Sequence, residues 1–278
     1  MTSEAPSPGT RATPRLGMGI LSWRGYDSLR QALESYKRED LFSLFDEILL
    51  FLPDGTDEGI ALAKEFGLAC RTTPNNLGIR GGLKALAEAM TAEIILIMEN
   101  DCPLIEPHDE AKRQIELAAS AIEAGDVDLV RLRHTRHPGQ KFPTLGKYLR
   151  YHPKTDAPAG EKLAAALRRA FRAEKARRLA GTSAYVEERP EEKFPDLIRR
   201  TEEGYLIVDS ACLPWTNQSV MLKRDFFLNT IIARAEAHPA GEQVNGFWAL
   251  EPELNRSWWR NQHFRIGLDR GLFTHERI

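Results

Sequence analysis

One pattern recurs along the first half of the chain: a short apolar run, a turn, then a segment with apolar residues at helical spacing. The runs are LGMGILS (16–22), EILLFL (47–52), a weaker LACRTT (68–73), EIILIM (93–98) and VDLVRLR (127–133). Between them, Asp27 or Ser28 can cap a helix running to about Arg38, with Leu29, Leu33 and Tyr36 on one face. Further helices are expected over 57–66, over LKALAEAM (83–90) and over 110–124. A strand apolar at consecutive positions is buried on both faces, so helices must cover both sides of the sheet. The expected class is therefore α/β, a Rossmann-like, mostly parallel central sheet flanked by helices.

The rhythm stops after residue 134. Residues 1–14 are rich in Pro, Ser and Thr and are expected to be a disordered tail. Residues 15–134 form the alternating half. Residues 135–203 read as an irregular and helical insertion, containing a basic helix over 161–180. Residues 204–278 form a second half with strands at 204–208 and 217–222, helices at 223–236 and 250–262, and a strand FRIGL (264–268). A chain of 278 residues can hold all of this around one large core.

Charge and cysteine usage narrow the class of partner. The net charge of −2 gives no basic field for nucleic acid. Cys70, Cys102 and Cys212 are far apart and form no CxxC pair, which indicates a reducing compartment and no zinc site. No run of about 18 apolar residues spans a bilayer, so the expected location is cytoplasmic. Helix 161–180 has seven Lys or Arg against two Glu, with Leu163, Leu167, Phe171 and Leu179 roughly on one face. It can cover the active site, pack on another subunit, or lie on the inner face of an anionic membrane.

The fourth apolar run ends abruptly in Glu99, Asn100 and Asp101. In doubly wound sheets ligands sit beyond the carboxyl ends of strands. Two carboxylates there can hold Mg²⁺ or Mn²⁺ together with substrate phosphates, although a solvated strand end is the plainer reading.

The order of motifs around that triplet resembles the nucleotide-binding half of inverting GT-A glycosyltransferases of the family 2 type. Asp54, Gly55, Thr56 and Asp57 match an Asp-rich turn after the second strand. Asn76 and Gly78 match an N-x-G stretch, and Glu99, Asn100 and Asp101 stand at the D-x-D position. In the second half NQSVMLKRDFF (217–227) is similar to the acceptor-side strand, LEPELNRSWWRNQHFRIGL (250–268) to the late acidic helix and strand, and FTHE (273–276) supplies a late histidine. The sequence departs from the pattern at Leu52 or Pro53, where an aspartate facing the base is usual, and at Glu99, which replaces the first aspartate.

That resemblance implies a GT-A fold and transfer of a sugar from a UDP- or GDP-type donor to a hydroxyl of a glycan or lipid-linked acceptor. It implies a metal held by Glu99, Asp101 and His275. Ser22, Trp23, Arg24, Asp54, Asn76, Gly78, Arg80, Lys84 and Asn100 are the implied donor contacts. Several keep a plain alternative. Trp23 can stack on a base or pack in its loop, Arg80 can bind diphosphate or lie on the surface, and Lys84 can pair with diphosphate or a neighbouring carboxylate. Asn76 and Gly78 can simply shape their turn. Glu251 is the expected general base and Glu253 the second choice, both near a helix N-terminus where negative charge is favoured in any case. His134 and His137 read as a solvated loop rather than a metal pair, and Trp258 and Trp259 as core. A sugar-phosphate nucleotidyltransferase would carry G-x-G-x-R after the first strand, where this chain has LSWRGYD. A non-catalytic glycan- or membrane-binding relic of the fold is the remaining alternative.

Overall fold

The computed structural model describes residues 14–140, 144–238, 243–244 and 246–276; the expected tail lies, apart from Pro14, outside them. The five anticipated strands form as β1 (Leu16–Leu21), β2 (Glu47–Pro53), β3 (Ala69–Thr73), β4 (Ile94–Glu99) and β5 (Leu129–Arg133). They are joined by β6 (Ile198–Arg200), β7 (Leu206–Asp209), β8 (Val220–Lys223) and, after the short hairpin of β9 (Gln243–Val244) and β10 (Phe247–Trp248), by β11 (Arg265–Phe273). Among the described residues the main sheet has the order β3-β2-β1-β4-β8-β5-β11-β7-β6. β1 to β4 are mutually parallel, and β5 is parallel to β11. β8 runs antiparallel between β4 and β5, and β7 antiparallel beside β11.

Alternation along β4 explains why its sequence is apolar throughout. Ile94, Leu96 and Met98 enter the core on one face, with Leu33, Tyr36 and Ile115 of helices α1 (Tyr26–Arg38) and α4 (His108–Ala124). Helix α2 (Asp57–Glu65) adds Leu62 and Ala63 to that core. Ile95 and Ile97 enter the other core, with Leu86 of α3 (Gly78–Ala89), Phe227 and Trp259. Each such side chain is worth roughly 1.5–3 kcal/mol when fully buried. Gly17 and Gly19 of β1 make room for this packing: a Cβ would meet Met90 at 2.6 Å and 2.9 Å respectively.

Several boundaries differ from those expected. α1 begins at Tyr26, on a left-handed Gly25, so neither Asp27 nor Ser28 caps it. α3 starts at Gly78, so most of the glycine-rich stretch is helix rather than turn. The 161–180 helix is broken at Arg172 into α6 (Ala159–Phe171) and α7 (Ala173–Arg178), preceded by α5 (Leu145–Tyr151). Leu179 thereby leaves the shared face and is buried, while Leu163, Leu167 and Phe171 stay exposed. The 250–262 helix is two pieces, Glu251–Leu254 and Ser257–Gln262. The last strand runs on to Phe273, past the expected end at residue 268.

Candidate active site

β4 and β2 lie on opposite sides of β1, which makes the carboxyl ends of β1 and β4 a switch in strand order. Glu99 pairs with Leu21 at this point. The residues beyond it come from distant parts of the chain: Ser22–Arg24 after β1, Asp54 after β2, Asp101 after β4, Gln218 just before β8 and His275 just after β11.

Asp101 is buried, and its Oδ2 lies 3.1 Å from His275 Nε2. The imidazole is held by a relay. Arg133 Nη1 donates to Gln218 Oε1 at 3.0 Å, which leaves the Gln218 amide nitrogen to face His275 Nε2 at 2.9 Å. The single lone pair of a neutral Nε2 serves one partner at a time, so it either accepts from the Gln218 amide or ligates a cation shared with Asp101. An octahedral ion with bonds of about 2.1 Å sets neighbouring donors about 3.0 Å apart, close to the Asp101–His275 separation. The donor set therefore fits a divalent metal as a pair of ligands. Among the described residues, however, no three His, Cys, Asp or Glu side chains are gathered as a ready metal group. Glu99 stands at the strand end without completing the trio with Asp101 and His275, so substrate oxygens must supply the remaining positions.

The loop behind His275 is tight. Gln140 N–H donates to the His275 carbonyl at 2.9 Å, and His275 N–H to the Pro138 carbonyl at 3.3 Å. Gly139 has φ 72°, and a Cβ there would sit 2.1 Å from the His275 carbonyl oxygen. Burial pushes the Cys102 thiol well above its ordinary range, with Asp101 and then Glu99 adding to the effect.

On the donor side, Arg24 pairs with Asp54 at 3.3 Å and lies over Trp23. Trp23 itself is exposed. Ser22 Oγ donates to the Arg24 carbonyl, and Asn100 donates to the Gly25 carbonyl at 3.0 Å, tying the ends of β1 and β4 together. Asn76 Oδ1 accepts from Gly78 N–H at 2.8 Å. Gly78 has φ 65° and would clash with Phe247 if it carried a Cβ, so this pair does shape the turn. Arg80 donates to the Ala235 carbonyl and approaches Trp248, while Lys84 holds Glu236 at 2.9 Å. Lys84 thus takes the neighbouring carboxylate of its two expected partners.

Glu251 Oε1 accepts from Asn217 N–H at 2.9 Å, two residues before the start of the Ser219–β8 segment. It lines a cavity of about 450 Å³ that also reaches Arg131, Arg133, Gln218 and His275. Glu253 is buried, and its Oε2 has no hydrogen-bond partner among the described residues. Of the two expected acids, Glu251 is the one that faces open space next to His275.

Sequence reading missed Gln218, Asn217, Gly139, Arg131 and Arg133. A signal for the arginines was present: in VDLVRLR they alternate with Val130 and Leu132, the mark of a strand with one polar-facing side. His134 was also misread. It is fully buried rather than solvated, with Nε2 2.9 Å from Glu106 and Nδ1 accepting from Arg136 and His137 N–H. Trp259 is core, as expected.

No family model and no curated protein matches this sequence. Solved structures do match in shape. One is Staphylococcus aureus TarS, residues 1–349, at a TM-score of 0.51 and 11% identity, covering 94% of this chain and 60% of that one. The chain has the GT-A fold of glycosyltransferases. It spans about three-fifths of the TarS fragment. A second similar structure is Mycobacterium tuberculosis glucosyl-3-phosphoglycerate synthase with Mn²⁺, UDP-glucose and phosphoglyceric acid, at a TM-score of 0.48 and 12% identity, covering 98% of this chain and 78% of that one. A third, at a TM-score of 0.36 and 17% identity, is the Pyrobaculum calidifontis mannosyltransferase PcManGT with GDP-mannose and Mn²⁺, over 48% of this chain and 38% of that one.

Proposed function

We propose that this GT-A chain is a metal-dependent, inverting hexosyltransferase that moves a sugar from a UDP- or GDP-type donor to an acceptor hydroxyl. One observation carries the reading: His275, which pairs with Asp101 beyond the end of β4, and Glu251 line one cavity large enough for a sugar-sized acceptor. When bound, the metal supplies positive charge against the leaving diphosphate. Asp101 and His275 would hold it, with Glu99 at the end of β4 two residues before Asp101. The mixed oxygen and imidazole set favours Mn²⁺ over Mg²⁺.

The chain's own residues do the rest. Trp23, Arg24 and Asp54 form the rim on which the nucleoside lies, with Ser22 and Asn100 fixing their backbone. Asn76, Gly78 and Arg80 shape the opening of α3 beside it. Glu251 takes the proton from the acceptor hydroxyl as its oxygen attacks the anomeric carbon opposite the diphosphate. A single displacement of this kind inverts the centre. The Asn217 N–H fixes the carboxylate's orientation while its second oxygen remains for the acceptor.

We place the acceptor among glycans or lipid-linked sugars of polysaccharide biosynthesis, and the protein in the cytoplasm. No helix among the described residues is long and apolar enough to cross a membrane. Contact with the inner membrane face is supported by α6, where Leu163, Leu167 and Phe171 are exposed beside Lys162 and Arg168. Binding to anionic vesicles that weakens with salt tests this contact, and no binding at low salt rejects it.

The enzyme reading is tested by thermal shift with UDP, GDP, ADP and CDP, each with and without Mn²⁺. A ligand at 100 times its Kd stabilises by about 2.7 kcal/mol. One base should stand out, and only with metal; no metal-dependent shift with any base overturns the reading. Pyrophosphate release from a sugar phosphate and a nucleoside triphosphate would instead identify a nucleotidyltransferase.

A further inference from the structure

The floor of the cavity beside Glu251 is basic. Arg131 and Arg133 follow one another on the same face of β5, because Val130 and Leu132 point into the opposite core. Both arginines are buried, at 4% and 9% exposure, yet both reach the cavity. Arg131 makes one hydrogen bond among the described residues, to the Pro214 carbonyl, and no carboxylate there lies within ion-pair distance. A guanidinium has five donors and stays charged. Burying one without an anion is costly, and placing it beside a second adds like-charge repulsion. Burial lowers the proton affinity of Arg133, Tyr185 and Cys102 oppose that, and Arg131 adds to the lowering. Apart from Glu251 and His275 near the reacting end, the remaining wall is uncharged: Thr144, Thr182, Thr216, Gln140 and Asn255 offer hydrogen bonds, and Leu213, Pro214 and Trp215 are apolar.

We infer that the acceptor carries an oxyanion, a phosphate or a carboxylate, and that Arg131 is the specificity-determining residue that receives it. The inference rests on the transferase reading and adds the chemical class of the acceptor. The anion docks on the Arg131 fork at the floor, and the threonines and amides meet the hydroxyls. The hydroxyl to be glycosylated is thereby brought under Glu251. A neutral acceptor would leave the buried charge uncompensated and bind weakly. A purely structural Arg131 would serve only to hold Pro214, but Asn255 already clamps the adjoining Trp215 through both its N–H and its carbonyl.

The test uses the full chain saturated with Mn²⁺ and whichever of UDP or GDP binds, so that the diphosphate site is filled. Inorganic phosphate and, separately, malonate are then titrated by calorimetry into wild type, Arg131→Gln and Arg131→Lys. Binding of either anion to the wild type is expected, and the stronger one distinguishes phosphate from carboxylate. Arg131→Gln should weaken it about thirtyfold or more. Arg131→Lys should weaken it less, because it keeps the charge but loses the fork. Nucleotide affinity should be the same in all three. If Arg131→Gln does not fold, the lysine variant alone carries the test, and wild-type affinity in it refutes the fork. Absence of anion binding in the wild type, or equal binding in the glutamine variant, overturns the inference. So does anion binding that disappears when nucleotide saturates the protein, since the arginines would then serve the diphosphate. If no nucleotide binds but Arg131-dependent anion binding persists, the transferase reading fails while the oxyanion site stands.

Discussion

Glu251→Gln separates chemistry from architecture at the proposed base. The carboxylate accepts the Asn217 N–H at 2.9 Å through Oε1. Glutamine keeps an oxygen at that position and nearly the same shape, so the hydrogen bond survives, weakened only by loss of charge. The expected change in stability is within about 1 kcal/mol. Alanine removes the acceptor and leaves a part-buried N–H without its partner, which costs about 1–3 kcal/mol. In a chain of this size that lowers Tm by several degrees, at about 2–4 °C per kcal/mol. Turnover should respond differently. Loss of a general base costs about 100-fold, or roughly 2.7 kcal/mol of transition-state stabilisation, and glutamine and alanine should share that loss. Donor binding, read by calorimetry with nucleotide and Mn²⁺, should be unchanged in both. The assay is sugar transfer followed by release of nucleoside diphosphate, paired with a melting curve for each variant. Normal turnover in Glu251→Gln with intact donor binding refutes the assignment and moves it to Glu253. Equal destabilisation by glutamine and alanine refutes the hydrogen-bond argument instead.

Asp101→Asn should keep the fold yet abolish metal-dependent nucleotide binding; unchanged affinity with Mn²⁺ rejects the metal site. Glu253→Met removes a buried carboxylate oxygen that has no partner among the described residues and should raise the urea midpoint by the equivalent of about 1 kcal/mol, so a lower midpoint contradicts it. Gly139→Ala forces a Cβ onto the His275 carbonyl at a positive φ and should cost about 1–3 kcal/mol while weakening Mn²⁺-dependent nucleotide binding; a neutral result dissociates that loop from the site. Burial lowers the His134 pKa, against the raising effect of Glu106, with His137 and Arg270 also disfavouring the charged form. Its stabilising contribution is therefore complete above the unfolded value near 6.5 and is lost as pH falls toward the folded value. His134→Gln should flatten the fall of Tm between about pH 7 and 5, and an unchanged slope refutes this.

The alternating half was legible because its code is local. In IILIM (94–98) every residue is apolar, and both faces of β4 are indeed buried there. Asp101 was legible for the same reason: a charged residue closing such a run lies at the carboxyl end of its strand, where doubly wound sheets meet their ligands. Gln218 and Asn217 were not, since their roles depend on β8 entering the sheet beside β4, a pairing across more than a hundred residues. The single helix expected over 161–180 failed at Arg172, where tertiary packing buries Leu179 and leaves Phe171 outside. His134 looked solvated among arginines and prolines. Its burial comes from Glu106, contributed by another segment, and from two backbone N–H groups of its own turn.

The position of β8 has a consequence for how the chain reaches its native state. β4 and β5 are separated by fewer than forty residues, yet they never pair with each other; β8 fills the gap between them. Until residues 220–223 have been synthesised and threaded in antiparallel, two strands buried in the finished sheet each present an unpaired edge. Such long-range closure is slow to form, and the half-built sheet is prone to pair with other chains in the meantime. A fragment ending before residue 220 should therefore aggregate rather than fold, however regular its first 134 residues look. The same late insertion brings Asn217 and Gln218 beside the carboxyl ends of β4 and β5, so the site is assembled only in the step that seals the sheet.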